Sequence, residues 1–359
     1  MKVLALTEGP DHVCYRYRIK AFTAALAARG WTLESLPLEK RTFARTAQLR
    51  EASEAEVVIL QRKLLPIWQL CLLRGRATRL VYDFDDAVFC RDSYSRKSPT
   101  SRMRLIHFWA TIFSADVVTA GNAFLSTEAS RYVNADRVRL IPTTINPEQY
   151  PTATHQRRGG HVKLVWIGQH STLPCLQHAE PMIAAATARL PGLELRVISN
   201  KFPRLSGIRV AARPWSAATE AIEVSRADIG LSWLPDDPWS RGKCGLKVLQ
   251  YMAAGLPVVA NPVGMNRTMI RDGENGFLVS SSSEAARAIE RLADDPRLRQ
   301  AMGQAGRQRV ESEYHVADWA PRFADLIDAV GRRNPRQLQP GLVHAPHSRP
   351  RDHNAEMLR

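Results

Sequence analysis

Two lysines stand just ahead of a short apolar run in RGKCGLKVLQYMAAGLPVVA, residues 241–260. If a helix begins near Cys244, Lys243 and Lys247 lie four residues apart on one helix face, close to its N-terminus. Cations do not stabilise a bare helix there, because the positive end of the helix dipole prefers anions. A bound diphosphate would reverse this effect, whereas the alternative interpretation is a solvated basic face. The two lysines are therefore candidate ligands for a diphosphate.

The turn WIGQHST, residues 166–172, is a second candidate for phosphate binding. It leaves a strand at Gly168 and continues through Gln169, His170 and Ser171 towards a helix. Backbone amides at such a turn can hold a phosphate. An ordinary tight turn is an equal alternative, because a single glycine is weak evidence for a phosphate loop.

Asp85 and Asp86 follow an apolar strand in YDFDDAVF, residues 82–89. A carboxylate at the end of a buried strand could orient or deprotonate a substrate hydroxyl. The alternative for either residue is a helix cap or a turn. Asp83 and Asp85 also have the spacing of a DxD metal motif, but alternate residues share a face only while the strand continues. We therefore predict no metal site.

An alternation of apolar runs and helical patterns must position these residues. Strands are expected at residues 2–6, 57–61, 79–86, 115–122 and 137–145, and again at 162–168, 194–199, 227–234, 257–260 and 276–279. Helices are expected at residues 18–30, 101–114, 244–254, 283–293, 296–314 and 316–330. Continuous Val/Ile/Leu strands separated by helices predict parallel sheets covered on both faces, with ligands at the carboxyl ends of the strands. Prolines, glycines and charges in residues 147–161 indicate a domain boundary. The predicted fold is α/β, with two doubly wound, Rossmann-like domains facing each other across a cleft.

Length and composition set further bounds. A chain of 359 residues exceeds one ordinary core, so about two domains are expected. The net charge of +15 favours an anionic partner, namely nucleic acid, an acidic lipid surface or a phosphorylated small molecule. The sequence shows no membrane span, signal peptide or paired-cysteine pattern, so we expect a cytoplasmic protein with reduced cysteines. Residues 331–359 are rich in arginine and proline and are expected to be a disordered basic tail.

Two further segments have open interpretations. Residues 7–19 form a first loop whose Gly9, Arg16 and Arg18 are candidates for contact with an acceptor or a phosphate. Residues 62–79, RKLLPIWQLCLLRGRATR, mix leucines and a tryptophan with five cations. Such a segment can lie on an anionic bilayer, or it can be a core-facing helix with a basic rim.

The segment GKCGLKVLQYMAAGLPVVANPVGMNRTMIRDGENGFLV resembles the nucleotide-sugar segment of retaining GT-B glycosyltransferases of group 1, family 4. The stretches GPDHVCYRYRIKAFTAALAARGW, LVYDFDDAVF, ADVVTAGNAFLSTEA and RVRLIPTTINPEQY are also similar, so the resemblance covers about residues 1–330. It implies an acceptor-binding domain in residues 1–155 with a returning helix at 316–330, and a nucleotide-sugar-binding domain in residues 156–315. It also implies an Arg/Lys pair on the diphosphate, for which Arg241, Lys243 and Lys247 are the candidates, and no metal or cofactor besides the donor.

The sequence departs from the family at two positions. Family members carry two glutamates eight residues apart, which would fall on Gly242 and Gln250 here. The second glutamate holds the ribose in the family, and an amide at Gln250 can still form hydrogen bonds there. The missing acids therefore indicate either a variant active site, as in a subgroup of the family, or a catalytically weak protein that only binds sugar nucleotides.

The resemblance therefore predicts a glycosyltransferase of the hexosyltransferase type, moving a sugar from a nucleotide donor to a glycan or lipid-linked acceptor in surface polysaccharide or glycolipid synthesis. Peripheral contact with the inner face of the cell membrane is an associated expectation. A nucleic-acid-binding protein is a rival favoured only by charge, because no nucleic-acid-binding motif is recognisable. A sugar-nucleotide epimerase with the same fold is a further alternative.

Overall fold

Two parallel six-stranded sheets organise the chain in the computed structural model, which describes residues 1–332. The strand order is β2-β1-β3-β4-β5-β6 in the first sheet and β12-β11-β10-β7-β8-β9 in the second. The strands of the first sheet are β1 (Lys2–Thr7), β2 (Thr32–Pro37), β3 (Val57–Gln61), β4 (Leu80–Phe84), β5 (Val117–Ala120) and β6 (Val138–Leu140). Those of the second sheet are β7 (Lys163–Ile167), β8 (Glu194–Ser199), β9 (Arg209–Pro214), β10 (Ile229–Ser232), β11 (Val258–Ala260) and β12 (Gly276–Leu278). The predicted architecture of two doubly wound α/β domains is confirmed.

Helices connect the strands in both domains. The first domain has α1 (Val13–Arg18), α2 (Thr23–Ala27), α3 (Thr42–Gln48), α4 (Ile67–Arg76), α5 (Arg102–Ser114) and α6 (Ala123–Ser130). The second has α7 (Leu173–His178), α8 (Glu180–Arg189), α9 (Glu220–Ser225), α10 (Pro238–Arg241), α11 (Leu246–Ala253), α12 (Met265–Met269), α13 (Ser282–Asp294) and α14 (Pro296–Glu313), followed by α15 (Val316–Arg332). Short 3₁₀ turns lie at Lys20–Phe22, Leu49–Glu54, Ala135–Arg137, Pro147–Gln149, Gly159–His161 and His170–Thr172. None of the helices in residues 1–332 combines the length and apolarity needed to cross a membrane.

Alternating strand residues supply the two faces of each sheet, as expected for fully buried parallel strands. In β1, Leu4 and Leu6 pack with α4, α5 and α6, while Val3 and Ala5 pack with α1, α2 and α15. In the second domain, Trp166 packs towards α7, α8 and α13. The next residue of β7, Ile167, packs towards α9 and α11. Each sheet is therefore covered on both faces.

The last described helix, α15, packs on the first domain although it follows the second in sequence. The Phe323 ring lies 4.9 Å from the Phe22 ring, centroid to centroid. Trp31 Nε1 donates a hydrogen bond of 3.0 Å to Asp328. Residues 333–359, most of the predicted tail, lie outside the described residues, and the division at residues 155/156 remains a prediction.

Two strands, β2 and β9, are absent from the expectations based on sequence. Both lie at the edge of a sheet. Their residues alternate between exposed and half-buried rather than forming a continuous apolar run. Because polar and exposed residues interrupt both strands, an apolar-run criterion passes over them, whereas it finds the edge strands β6 and β12.

Arg18 is a structural residue, and its predicted contact with an acceptor or phosphate is wrong. Its fully buried guanidinium donates to both carboxylate oxygens of Asp83, at 2.6 and 3.1 Å. It also donates to the carbonyl oxygen of Ile141. Asp83 accepts further hydrogen bonds from Thr119 and Gln61. The pair joins α1 to the ends of β3, β4, β5 and β6, which carry the loops of the cleft.

Asp83→Asn is expected to lower the free energy of unfolding by about 3–5 kcal/mol, because it leaves the buried Arg18 cation without its counter-charge. Denaturant unfolding followed by circular dichroism measures the loss. Asp325→Asn is the control, since Asp325 pairs with Arg29 at the surface, and it should cost at most about 1 kcal/mol. Equal losses in the two variants would contradict the structural role.

Candidate functional site

A cavity of about 780 Å³ lies between the domains, at the carboxyl ends of both sheets. This interdomain cleft is lined by ten of the residues predicted from sequence: Gly9, Arg16, Asp85, Asp86, Gly168, Gln169, Ser171, Lys243, Lys247 and Gln250. Three others, Arg18, His170 and Arg241, are not among its lining residues. The cleft therefore brings most of the predicted residues together, as the strand-end rule for parallel sheets implies.

Lys243 and Lys247 both line the cleft, but they do not share a helix. α11 begins at Leu246, after Gly245 in a left-handed conformation with φ of 68°. Lys243 thus lies in the preceding loop, with its ammonium 3.4 Å from the centroid of the Trp239 ring and 3.9 Å from Asp86 Oδ1. The two cations approach the cleft from a loop and from the first turn of a helix.

Lys247 is a half-buried cation without a carboxylate partner among residues 1–332. Its ammonium lies 4.4 Å from the centroid of the Trp166 ring. Burial, helped by the charge of Lys243 and opposed by Cys175, lowers the pKa of Lys247 to about 8. A cation held in this way favours an incoming anion.

Asp85 and Asp86 are both held by Arg62, a residue that the sequence analysis did not assign to the site. Arg62 Nη2 lies 2.7 Å from Asp86 Oδ2, and Nη1 lies 3.6 Å from Asp85 Oδ1. Nη1 also contacts Cys14 Sγ at 2.6 Å. Asp85 Oδ1 is buried without a hydrogen-bond partner. Asp83, by contrast, is turned into the pair with Arg18, so the DxD spacing does not direct Asp83 and Asp85 to one ligand.

The backbone of Arg62 is strained, with φ of 58°. Few residues other than glycine adopt this conformation, which costs free energy and is retained where the surrounding structure requires it. No feature of the sequence around residue 62 signals a positive φ. In this conformation the Arg62 guanidinium is directed towards Asp85 and Asp86 in the cleft.

Gly242, where the family resemblance places a glutamate, has no room for a side chain. A Cβ atom there would lie 2.6 Å from both Cβ and N of Ala87 in the first domain. The Asn122 side-chain amide donates to the carbonyl oxygens of this segment, with 3.1 Å to that of Gly242. Cys244, two residues on, is buried in the first domain's core. The turn after Asp85 and Asp86 thus occupies the space that an acid at position 242 would need.

Gln250 is buried and belongs to a hydrogen-bond network between the domains. Its Nε2 donates to the hydroxyl oxygens of Tyr150 at 3.2 Å and Tyr17 at 3.4 Å. The Tyr17 hydroxyl donates to Glu220 Oε1 at 2.8 Å. Arg16 pairs with the same carboxylate at 2.7 Å. Burial, with the nearby Glu220 charge, raises the pKa of Tyr150 to about 12, so the Tyr150 hydroxyl stays protonated at neutral pH.

Glu220 is therefore a buried carboxylate beside the position where the family carries its second acid. Its other oxygen accepts from Trp215 Nε1 at 2.8 Å, and its side chain lines the cleft. Sequence patterns did not indicate Glu220 because β9, the strand that precedes it, is absent from the predicted strands. Only the packing of α1 against the second domain makes it part of the site.

Two predicted phosphate ligands point elsewhere. Arg241 is half-exposed and pairs with Asp236 at 2.8 Å, outside the residues that line the cleft. His170 is exposed, and its backbone amide donates to Asn200 at 2.9 Å. The turn at Gly168 leads into a single 3₁₀ turn before α7, so a long helix does not begin at this loop.

Comparison with known proteins agrees with this architecture. Residues 177–325 match the glycosyl transferase-like family model. The chain is 32% identical over 87 residues to the trehalose synthase of Pyrococcus horikoshii, covering 24% of this chain and 21% of the relative. It is 32% identical over 227 residues to the glycogen synthase of Mycobacterium tuberculosis, covering 59% and 53%. The chain thus spans from about a fifth to about half of the length of these curated relatives.

Solved structures match over most of the chain. A sucrose-phosphate synthase from Thermosynechococcus elongatus superposes with a TM-score of 0.72 at 18% identity, covering 91% of this chain and 98% of that one. The Anabaena protein HepE, in complex with UDP and glucose, gives 0.65 at 16% identity, covering 92% and 100%. The chain therefore has the GT-B fold, and its residues 177–325 form a glycosyl transferase-like domain.

Proposed function

We propose that the chain transfers a sugar from a nucleoside-diphosphate sugar to a hydroxyl of a glycan or lipid-linked acceptor. In this proposal it is a family 4 enzyme that retains the configuration of the sugar and needs no metal or cofactor. The donor binds mainly to the second domain and the acceptor to the first. The observation that carries the proposal is Lys247, a cleft cation that lacks a carboxylate partner among residues 1–332. Solved structures of HepE, which share this fold, hold UDP or UDP-glucose.

Lys247 and Lys243 would stabilise the leaving group. When the bond between the sugar carbon and the diphosphate oxygen breaks, negative charge grows on the departing diphosphate. Cations already in place stabilise that charge more in the transition state than in the ground state. Arg241 has no part in this step, since its guanidinium is engaged with Asp236 outside the cleft.

Asp85 and Asp86 would act on the acceptor hydroxyl. Asp85 has an oxygen without a hydrogen-bond partner, so its carboxylate is the better candidate to orient the hydroxyl and accept its proton. Asp86 is paired with Arg62 and lies near Lys243. It would position the turn that contains Asp85 and Asp86, here called the acid turn, and would link that turn to the donor side of the cleft.

Gln250 and Glu220 would bind the nucleoside through hydrogen bonds. Gln250 offers an amide at the family's ribose position, and Glu220 supplies a carboxylate on the same side of the cleft. We assign the product to cell-surface polysaccharide or glycolipid synthesis and the enzyme to the cytoplasmic face of the membrane. Support for this assignment comes from the family resemblance and the basic charge, and nucleic acid is not part of the proposal.

A second candidate is a protein that binds sugar nucleotides with little turnover. It is favoured by the absence of a carboxylate at both Gly242 and Gln250. Donor binding without transfer to any glycan or lipid-linked acceptor would distinguish it from the enzyme.

Nucleoside diphosphates and their sugars are expected to raise the thermal unfolding temperature. A ligand at a hundred times its dissociation constant stabilises the folded state by about 2.7 kcal/mol. A panel of nucleotide bases and sugars identifies the donor. The absence of a shift with every member would count against the proposal.

Lys247→Met should weaken a nucleoside diphosphate about tenfold or more, because a charge-assisted contact is lost, and should change binding of the free nucleoside little. In the wild type, diphosphate affinity should be higher at pH 7 than at pH 9 and should fall as pH rises through about 8, because Lys247 then loses its proton. Lys247→Arg is the matched control, since arginine stays charged, and its affinity should not change between pH 7 and 9. Calorimetric titration measures all three, and equal loss of nucleoside and diphosphate would refute the assignment.

Asp85→Asn is expected to reduce the transfer rate by about 10²–10⁴-fold, the usual contribution of general base catalysis. Donor affinity should stay within about threefold, since Asp85 faces the acceptor side. Asp236→Asn, which changes an acid outside the cleft lining, should leave both quantities unchanged. Transfer assays with the donor found in the panel measure the rate, and a donor-affinity loss equal to the rate loss would contradict the role.

A further inference from the structure

Helix α5 has an apolar outer face that nothing in residues 1–332 covers. Its inner face is buried through Phe108 and Ile112. Leu105, Trp109 and Phe113 point outwards and are exposed by 42, 46 and 61%. Ile106 is exposed as well. The spacing of the four exposed residues follows one stripe of an α-helix, and the Trp109 and Phe113 rings stack at 5.8 Å.

The neighbouring helices extend this face. α3, α4 and α5 cover the same side of the first sheet, with Arg45 of α3 bonded to Gln69 of α4. α3 adds Phe43, and the start of α4 adds Ile67 and Trp68. Of the eleven large apolar side chains that are exposed within the described chain, eight lie on these three helices. We call this region the α3–α5 surface; such a concentration marks an interaction site rather than ordinary surface variation.

The charged residues on the three helices of the α3–α5 surface are all cations. The sequences of α4 and α5, IWQLCLLRGR and RMRLIHFWATIFS, contain no acidic residue. Arg102 continues the exposed stripe of α5, and Arg76 ends α4; neither has an ion-pair partner among residues 1–332. The loop before α5 adds exposed Arg96 and Lys97. Apolar and aromatic residues bordered by unpaired cations are the combination that binds an anionic lipid interface.

We propose that the α3–α5 surface docks on an anionic lipid bilayer, with α5 lying along the membrane and Trp109 and Phe113 in the interface. A second copy of the chain is disfavoured as the occupant, because two surfaces of the same positive charge repel each other. One of the two interpretations from sequence placed membrane contact on residues 62–79, and the other placed a core-facing helix there. In the structure, Leu70 and Leu73 of that segment are buried in the core. Most of the exposed large apolar side chains of this region lie on α5 instead.

The α3–α5 surface is connected to the acceptor side of the cleft. Arg104, in the first turn of α5, donates a hydrogen bond of 3.1 Å to the carbonyl oxygen of Val88. Val88 lies two residues after Asp86, so the helix on the membrane and the acid turn are held together. A lipid-linked acceptor could keep its tail in the bilayer while its sugar reaches Asp85. This last step rests on the proposed function, whereas the membrane contact does not.

Co-sedimentation with vesicles tests the proposal without any substrate. The full-length chain should bind vesicles of phosphatidylcholine with 30% phosphatidylglycerol at least tenfold more strongly than phosphatidylcholine alone, with weaker binding at high salt. Trp109→Ser/Phe113→Ser should lose at least tenfold of this binding while keeping the wild-type circular dichroism spectrum and unfolding temperature. Phe202→Ser/Ile222→Ser is the matched control, because those residues are similarly exposed on the second domain, and it should bind as the wild type does.

Three results would overturn the proposal. One is no vesicle binding by the wild type. Another is unchanged binding by Trp109→Ser/Phe113→Ser, which would assign any binding to other basic segments. The third is a dimer in sedimentation velocity that the same substitutions dissociate, which would make a second copy the occupant. Failure of the donor panel would leave the vesicle result unaffected, so the two proposals fail separately.

Discussion

The geometry of the cleft depends on a close backbone contact between the domains. Gly242 packs against Ala87 so tightly that even a Cβ atom would lie 2.6 Å from it. The Asn122 amide holds the carbonyl oxygens of the same segment, and Cys244 is buried in the first domain's core. This contact fixes where α11 begins, and it brings the ammonium of Lys243 beside the acid turn. The positions of the cations relative to the acids on the other side of the cleft therefore depend on this contact between the domains.

The missing acids of the family have a physical explanation in this packing. An acid at position 242 is excluded by the contact with Ala87. At position 250 the amide of Gln250 donates to two tyrosine hydroxyls, and Tyr17 in turn donates to Glu220. A glutamate there would face Glu220 across one hydroxyl, and two carboxylates so close in a buried site repel each other. With an uncharged Gln250, the network contains one carboxylate, that of Glu220, which is paired with Arg16. It therefore carries one negative charge, whereas a glutamate at position 250 would add a second.

Sequence patterns predicted ten of the twelve strands within a few residues, because parallel strands buried on both faces must be apolar runs. The edge strands β2 and β9 escaped the criterion because exposed residues interrupt their apolar residues. The predicted residues that line the cleft are those that follow strand ends or lie around the start of α11. The structural role of Arg18 and the place of Glu220 in the site escaped prediction because they are set by contacts between residues 65 and 204 positions apart in the chain. Arg62 escaped because a positive φ at a residue other than glycine leaves no mark in the sequence.

The charges of the cleft couple the two domains. Without a ligand, Lys243 lies between the Trp239 ring and Asp86, so the second domain's cation partly neutralises the first domain's acid. A diphosphate that binds Lys243 competes with Asp86 for that charge and leaves Asp86 with Arg62 alone. Arg62 holds Asp85 in the same turn. In the proposed reaction, donor binding would therefore change the ion pairs that position Asp85, and this coupling depends on Gly242, which allows the two domains to touch.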